Sequence, residues 1–490
     1  MNTMGKRNIT FFVAAPLIIL VIIAISRIYF AWHGNLLPEH VSGAWTSLAH
    51  DLSQGIFYRP LYSHDSGYGG TRFMPLFFVI YSLMSRITGD YLSAGYLLNI
   101  IIIMGISSVL FFMLRKNRNI TTVLLLVSCL FISVNLHVAL EDIRGDLTAV
   151  FFSLSGLSFA MKCEDRKNNS SLIFASLFFI LAFFTKLTSV HGFAAVTIWL
   201  LVRRQWKSAM LFSLIFGIAA AVGLGIIHYF SNGNFIQNVL FSASGGASLI
   251  GILRAPLWFV KVMLLTDIPV LFLLVLAGTL FIYFIKESWK SLAGIYLIMT
   301  LGVTVTIFGS PGTWGNHLLD LHIAVIVFIG IIVHEKGKEL VYFVFLQLLL
   351  IIGISLQPLA GGLKWTREKM LGRINNIEVI QLKAKHGKGD ILSENPLIPL
   401  VLGEPVYVQD AFMLRQFAKH NRAQAEPLLA RIRNKDFRIL FMMKDIRANR
   451  EWYSDSHFGD LITGEILNNY SLEGPCGLYF IYRPKIRKPK

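Results

Sequence analysis

Along the first 355 residues, uncharged apolar runs of roughly 15 to 22 residues alternate with short polar stretches that hold the charges. A helix needs roughly 20 apolar residues to cross a bilayer core. Water is absent there, so each segment must satisfy its own backbone, which selects helices. The pattern predicts eleven spans, at 9–30, 93–114, 120–139, 146–161, 171–185, 190–202, 208–230, 267–285, 291–309, 318–333 and 339–356. Residues 73–89 are apolar too, but a full span there would invert every later loop. They are read as a juxtamembrane or re-entrant helix.

After residue 356 the pattern changes. No membrane-length run remains, and short β-like runs at 398–402, 406–409, 437–442 and 477–482 alternate with helical stretches. Asp410 is placed to cap a helix running to His420 with Phe412, Leu414 and Phe417 on it. The expected architecture is an all-α polytopic membrane protein of about eleven transmembrane helices plus outer juxtamembrane helices. Residues 1–356 form that part, and residues 357–490 a small soluble α/β domain.

Charge sets the orientation. Six short patches hold fifteen Lys and Arg: Lys6/Arg7, Arg115/Lys116/Arg118, Lys162/Arg166/Lys167, Arg203/Arg204/Lys207, Lys286/Lys290 and Lys336/Lys338. The alternate connections, including long ones at 31–72 and 231–266, hold only six. The positive-inside rule then puts the N-terminus in the cytoplasm of a bacterial inner membrane and the C-terminal domain in the periplasm. Much of the net charge of +17 sits in those patches, so a nucleic-acid partner is not expected. The first apolar run is too long for a signal peptide and lacks a small-residue cleavage site. Cys129, Cys163 and Cys476 are too far apart for a metal motif.

Four polar clusters fall on the outer side. One is the first long loop, with Glu39-His40, His50-Asp51, His64-Asp65 and Gly67-Tyr68-Gly69-Gly70-Thr71-Arg72. The others are 141–146 (with Asp142, Arg144 and Asp146), Lys186 with its flanking threonines, and 311–320 with Asn316, His317 and Asp320. Ionisable groups at a membrane face are costly unless solvated or paired, so their convergence marks a candidate site. The glycines before Arg72 suit a tight turn. The spacing of His40, His50 and His64 fits no zinc pattern.

The order of these features resembles the polyprenyl-phosphate-sugar-dependent glycosyltransferases of the GT-C superfamily, of the protein O-mannosyltransferase and aminoarabinose transferase types. The features are a long first outer loop with an acid after Pro38, the Pro75-Leu76-Phe77-Phe78 helix start, Arg144-x-Asp146 opening a helix, and Asn316-His317-Leu318-Leu319-Asp320. The resemblance spans about residues 1–335. Glu39-His40 stands where the family often has Asp-Glu, and Gly145 where it often has Pro, so Asp51 and Asp65 stay rivals for the base. The resemblance implies inverting transfer of a sugar from a polyprenyl-phosphate donor to a protein, lipid or glycan acceptor. Glu39 is the implied base, with Asp146 as its partner or alternative and Asp51 and Asp142 as further candidates. Arg72, Arg144 and Lys186 are implied for the donor phosphate, and Asn316 and His317 for sugar or phosphate. No metal cage is evident; the family has metal-dependent and metal-independent members, so a divalent ion stays open.

The residues support the same chemistry independently. A carboxylate must take the acceptor's proton, a cation must stabilise the leaving phosphate, and apolar helices must hold the lipid. A transporter, flippase or polymerase of lipid-linked glycans is the alternative. Transporters place charges near the midplane and show paired halves. Here the charges sit at one face and no repeat is visible.

Overall fold

The computed structural model of the chain describes residues 3–115, 119–166, 169–244, 248–310, 312–335, 338–374, 376–385, 389–455 and 457–485. Lys116, Arg118, Lys167, Pro311 and Lys336 lie outside the described residues, as do the side chains of Lys6, Arg7, Arg166 and Lys338. The fold is largely helical. In chain order come α1 (Thr3–His33), α2 (His40–Ser53), a small hairpin of β1 (Tyr62–Ser63) and β2 (Gly67–Tyr68), α3 (Pro75–Thr88) and α4 (Tyr91–Arg115). Then follow α5 (Ile120–Ser128), α6 (Val134–Glu141), α7 (Asp146–Arg166), α8 (Asn169–Thr185), α9 (His191–Val202) and α10 (Trp206–Phe230). The helical part closes with α11 (Asn234–Ser244), α12 (Leu249–Thr266), α13 (Ile268–Tyr283), α14 (Ile285–Ser288), α15 (Leu292–Ile307), α16 (Leu319–Glu335) and α17 (Lys338–Leu371).

Six helical segments are long and apolar enough to cross a membrane, and five further apolar helices are shorter. The chain is a multi-pass membrane protein. The polar loops and helix ends that carry Glu39, Arg72, Arg144, Asp146, Lys186 and His317 collect at one face, called here the loop face. The basic stretches around Arg115, Arg203 and Lys286 close the opposite ends of α4, α9 and α13. α16 lies buried through the bundle centre, with Leu321 to Ile329 nearly inaccessible; a helix apolar on all sides belongs there.

The structure alters three expectations. The expected span at 120–139 bends by 65° between Ile132 and Val134. Asp267, at the α12–α13 junction, fills the break: it accepts from the Ser133 hydroxyl at 2.5 Å, from the Asn135 amide N–H at 3.2 Å and from Asn135 Nδ2 at 3.0 Å. A carboxylate at the start of α6 answers the open N–H groups there. α6 is thereby aimed so that its far end delivers Glu141 and Asp142 to the loop face.

The second change is the connection at 231–266, which contains α11 and α12 rather than open loop. Arg254 and Lys261 interrupt its apolar run in the sequence, yet both are exposed beside Leu253, Leu257 and Leu265. α12 meets α15 near one of its ends. Its start, Gly251, meets the Gly309 carbonyl, and Phe259, two turns later, packs on Phe308 at 5.6 Å. Both contacts fall at the end of α15, although α12 is itself one of the six segments long and apolar enough to cross a membrane.

α3 is capped as its sequence predicts, with Pro75 in its first turn and Gly89 in the left-handed conformation at its end (φ 75°). It packs on α2 and α4 at the loop face.

The third change concerns the tail. α17 runs unbroken past residue 356 to Leu371. Beyond it lie α18 (Ile377–Ala384), β3 (Asp390–Ser393), α19 (Leu397–Val401), α20 (Ala411–His420), α21 (Arg422–Asn434), β4 (Phe437–Met442), α22 (Arg450–Asp455), α23 (Gly459–Asn469), β5 (Tyr470–Cys476) and β6 (Tyr479–Pro484). The sheet order is β3-β4-β6-β5, with β3 parallel to β4 and the other pairs antiparallel. The run at 398–402 is mostly helix rather than strand, because Asn395 Oδ1 accepts the Leu397 N–H at 3.0 Å and Pro399 is tolerated in a first turn. Asp410 caps α20 through the N–H groups of Phe412 and Met413. Leu428, Ile432, Ile462 and Ile466 pack on Phe437, Leu440 and Met442 to form this domain's core.

Candidate active site

Glu39 is the residue before α2 and caps nothing with its side chain. Its carboxylate instead forms an ion pair with Arg144, whose guanidinium also reaches Asp142 at 3.3 Å. Asn99 of α4 holds the Asp142 turn by donating to the carbonyl oxygens of Asp142 at 2.6 Å and Leu140 at 3.2 Å. Gly145 lets this turn press against Phe77 and Trp45. Burial, with the neighbouring charge of Glu141, pushes the Asp142 carboxyl up to about 8.

The second half of the cluster forms where α7 begins. Asp146 accepts from Lys186 Nζ at 2.7 Å and from Asn316 Nδ2 at 3.2 Å. Lys186 also faces Asp320 at 3.9 Å. Burial works against the Lys186 charge, but Asp146 and Asp320 outweigh it and hold the ammonium above its ordinary range. Asp320 continues the row inward, with His191 Nε2 at 3.8 Å, and His191 meets the Tyr296 hydroxyl at 3.3 Å. His317 lies within electrostatic reach of Lys186, Asp146, Arg72 and Arg144. Arg72 is exposed, its guanidinium 4.9 Å from the centre of the Phe412 ring. Two turn glycines with positive φ, Gly67 and Gly70, precede it.

Eight of the nine residues expected from the sequence thus share one region. The exception is Asp51. It is gripped by Arg59 through two bonds of 2.6 Å and by Gln409 Nε2 at 2.5 Å, while Arg59 also donates to the Val406 carbonyl at 2.7 Å. That set ties α2 to the C-terminal domain and commits both Asp51 oxygens to it. Accessibility separates the four carboxylates. The Glu39 side chain is 38% exposed, against 10% for Asp142, 10% for Asp146 and 4% for Asp51. Of these four Glu39 is the most exposed, although its Oε1 is buried; Asp65, the further rival in the first loop, is exposed as well.

Sequence reasoning missed Asn99, His191 and the contribution of the tail. His191 follows Lys186 by five residues, and only the turn between α8 and α9 brings both to Asp320. From the C-terminal domain, His457 stacks edge-on against His40 at 4.6 Å. His457 Nδ1 lies 3.1 Å from Glu394, a contact across 63 residues that no local pattern signals. Burial, then the charges of His457 and Arg72, hold His40 well below the usual histidine range. Among the described residues, no three His, Cys, Asp or Glu side chains group as a metal site would.

Solved structures share the fold. ArnT from Cupriavidus metallidurans, solved bound to undecaprenyl phosphate, matches with a TM-score of 0.60 over 96% of this chain and 99% of its own, at 10% identity. The oligosaccharyltransferase of Archaeoglobus fulgidus matches in its apo form with a TM-score of 0.56 over 98% of this chain and 75% of its own, at 12% identity. The chain has the GT-C fold. The archaeal oligosaccharyltransferase AglB, in complex with an inhibitory peptide and a dolichol-phosphate, matches with a TM-score of 0.55 over 98% and 75% of the two chains, at 10% identity. No family model and no curated protein matches the chain in sequence. At such identities the likeness is one of fold, and residue roles rest on the geometry above.

Proposed function

We propose that the chain is a membrane glycosyltransferase that moves a sugar, with inversion, from a polyprenyl-phosphate donor to an acceptor at the periplasmic face of a bacterial inner membrane. The observation that carries this reading is the partly exposed Glu39 carboxylate paired with Arg144, in the same polar cluster as Lys186 and Arg72, at one face of a GT-C fold. The solved relatives bound to undecaprenyl phosphate and dolichol-phosphate support the donor class. The N-terminus is then cytoplasmic and the C-terminal domain periplasmic, as the basic patches indicate.

The chemistry follows from the positions. Glu39 takes the proton of the acceptor O–H or N–H as its oxygen or nitrogen attacks the anomeric carbon. The bond from that carbon to the phosphate oxygen breaks on the opposite side, and the phosphate leaves with the electron pair. Its growing charge needs fixed cations. Lys186 is pre-positioned by Asp146 and Asp320, and Arg72 is the guanidinium least committed to carboxylates. Arg144 ties Glu39 to Asp142 and keeps the base oriented. Asn316 and His317 line the same space for the sugar or phosphate.

Binding of undecaprenyl phosphate and of neutral undecaprenol to the purified protein tests the donor class. The phosphate should bind far more tightly, and Arg72→Gln should weaken it by about tenfold, the scale of a lost charge-assisted contact. Equal binding of both lipids, or an unaffected Arg72→Gln variant, would overturn the assignment.

A further inference from the structure

The reading above leaves a set of C-terminal residues without a task. Trp452 of α22 is half-buried, and its indole N–H has no partner among the described residues. The same holds for Nδ1 of His40. These two rings are the ends of a row. His40 meets His457 at 4.6 Å, His457 meets Trp452 at 5.4 Å, and Lys444 Nζ stands 4.0 Å from the centre of the Trp452 ring. Glu394, buried, fixes the middle ring: it accepts from the Met443 N–H and from the Tyr453 hydroxyl at 3.0 Å, and His457 Nδ1 is aimed at it at 3.1 Å.

The row starts one residue from Glu39. It also shares space with the cation cluster, because Arg72 acts electrostatically on both His40 and His317. A second cation, Arg415, stands 5.0 Å from the same Phe412 ring that Arg72 covers. The rings meet edge-on at 68° and tilted at 55°, and His457 is buried between the other two, so Trp452 at the outer end is the face that can take a hydroxyl-bearing ring. Amine and guanidinium groups beside them suit an anionic substituent.

We propose that His40, His457, Trp452 and Lys444 form the acceptor subsite, and that it takes a carbohydrate bearing an acidic group. This rests on the glycosyltransferase reading and names the acceptor class for the same site. The C-terminal domain then selects the acceptor, while the membrane helices hold the donor. An acceptor held against Trp452 meets Lys444 with its acidic group at the outer end and extends past His40 to present a hydroxyl to Glu39 at the inner end.

The test uses the full chain in detergent, fluorescently labelled, on an array of neutral glycans, acidic glycans and Ser/Thr- or Asn-containing peptides. Undecaprenyl phosphate binding is measured in parallel. Acidic glycans should be retained. Trp452→Ala should weaken them about tenfold and Trp452→Phe much less, because the stacking face survives. Lys444→Gln should erase the preference for acidic over neutral glycans. All three variants should bind undecaprenyl phosphate as the parent does, which also reports that they fold. Retention of peptides alone, retention of nothing, or unchanged glycan binding by Trp452→Ala and Lys444→Gln would overturn the subsite. Loss of undecaprenyl phosphate binding by the parent chain would instead overturn the donor reading, so the two failures are distinguishable.

Discussion

Glu39 differs from its rivals by what surrounds it. Asp142, Asp146 and Asp51 are nearly buried, whereas the Glu39 side chain is the most exposed of the four and is paired with one guanidinium, Arg144. Asp51 belongs to the scaffold. Asp51→Ala should strip Arg59 of its counter-charge and cost about 3–5 kcal/mol of stability, as breaking buried pairs does. Denaturation in detergent measures this; lost turnover with unchanged stability would make Asp51 a base after all. His40 supplies a pH signature. Its folded pKa lies below the ordinary 6.5 because burial opposes its charge. Below about pH 6.5 the unfolded chain then binds a proton that the folded chain refuses. Stability should therefore fall as pH drops from 6.5 toward the folded value, and His40→Gln should flatten that slope. Equal slopes would mean His40 is solvated.

Helices were readable where an apolar run reaches bilayer length without a charge, as in α1, α4, α10 and α17. They were not where charge interrupts an apolar surface that faces lipid headgroups. α12 escaped notice because Arg254 and Lys261 break its run, although both point outward from a helix whose other side packs on α15 and α13. The bend before α6 was equally hidden, since Ser133 is an ordinary cap and its partner Asp267 lies 134 residues away. The position of α12 is directly testable. Cysteines replacing Leu249 and Leu265, both exposed, should react with a membrane-impermeant maleimide added from the side of the C-terminal domain. Labelling from opposite sides would make α12 a span and reverse the order of the helices that follow.

At the scale of the molecule, the site is a junction. Membrane helices contribute Arg144, Asp146, Lys186 and Asn316, the first loop contributes Glu39 and Arg72, and the C-terminal domain closes over them. That domain is clasped at several points. Tyr68 and residues 407–409 exchange backbone bonds of 2.8 and 3.0 Å, Gln409 holds Asp51, and Asn395 donates to the Pro38 carbonyl at 2.9 Å. Gly43 permits the closest approach, since a β-carbon there would lie 2.1 Å from Asn395 Oδ1. The polar clusters of the membrane part stood out in the sequence because charge is expensive there. The tail's share did not, because His457, Glu394 and Trp452 are unremarkable in a soluble domain until folding sets them beside His40.

The central claim is that Glu39 accepts the acceptor's proton during transfer from a lipid-phosphate sugar. It is tested most directly by radiolabelled polyprenyl-phosphate sugars offered to the purified protein and to Glu39→Gln with a membrane extract as acceptor. The account predicts transfer from one donor and a loss of about a hundredfold or more in the variant, with undecaprenyl phosphate binding retained. Transfer by Glu39→Gln at the parent's rate would contradict it.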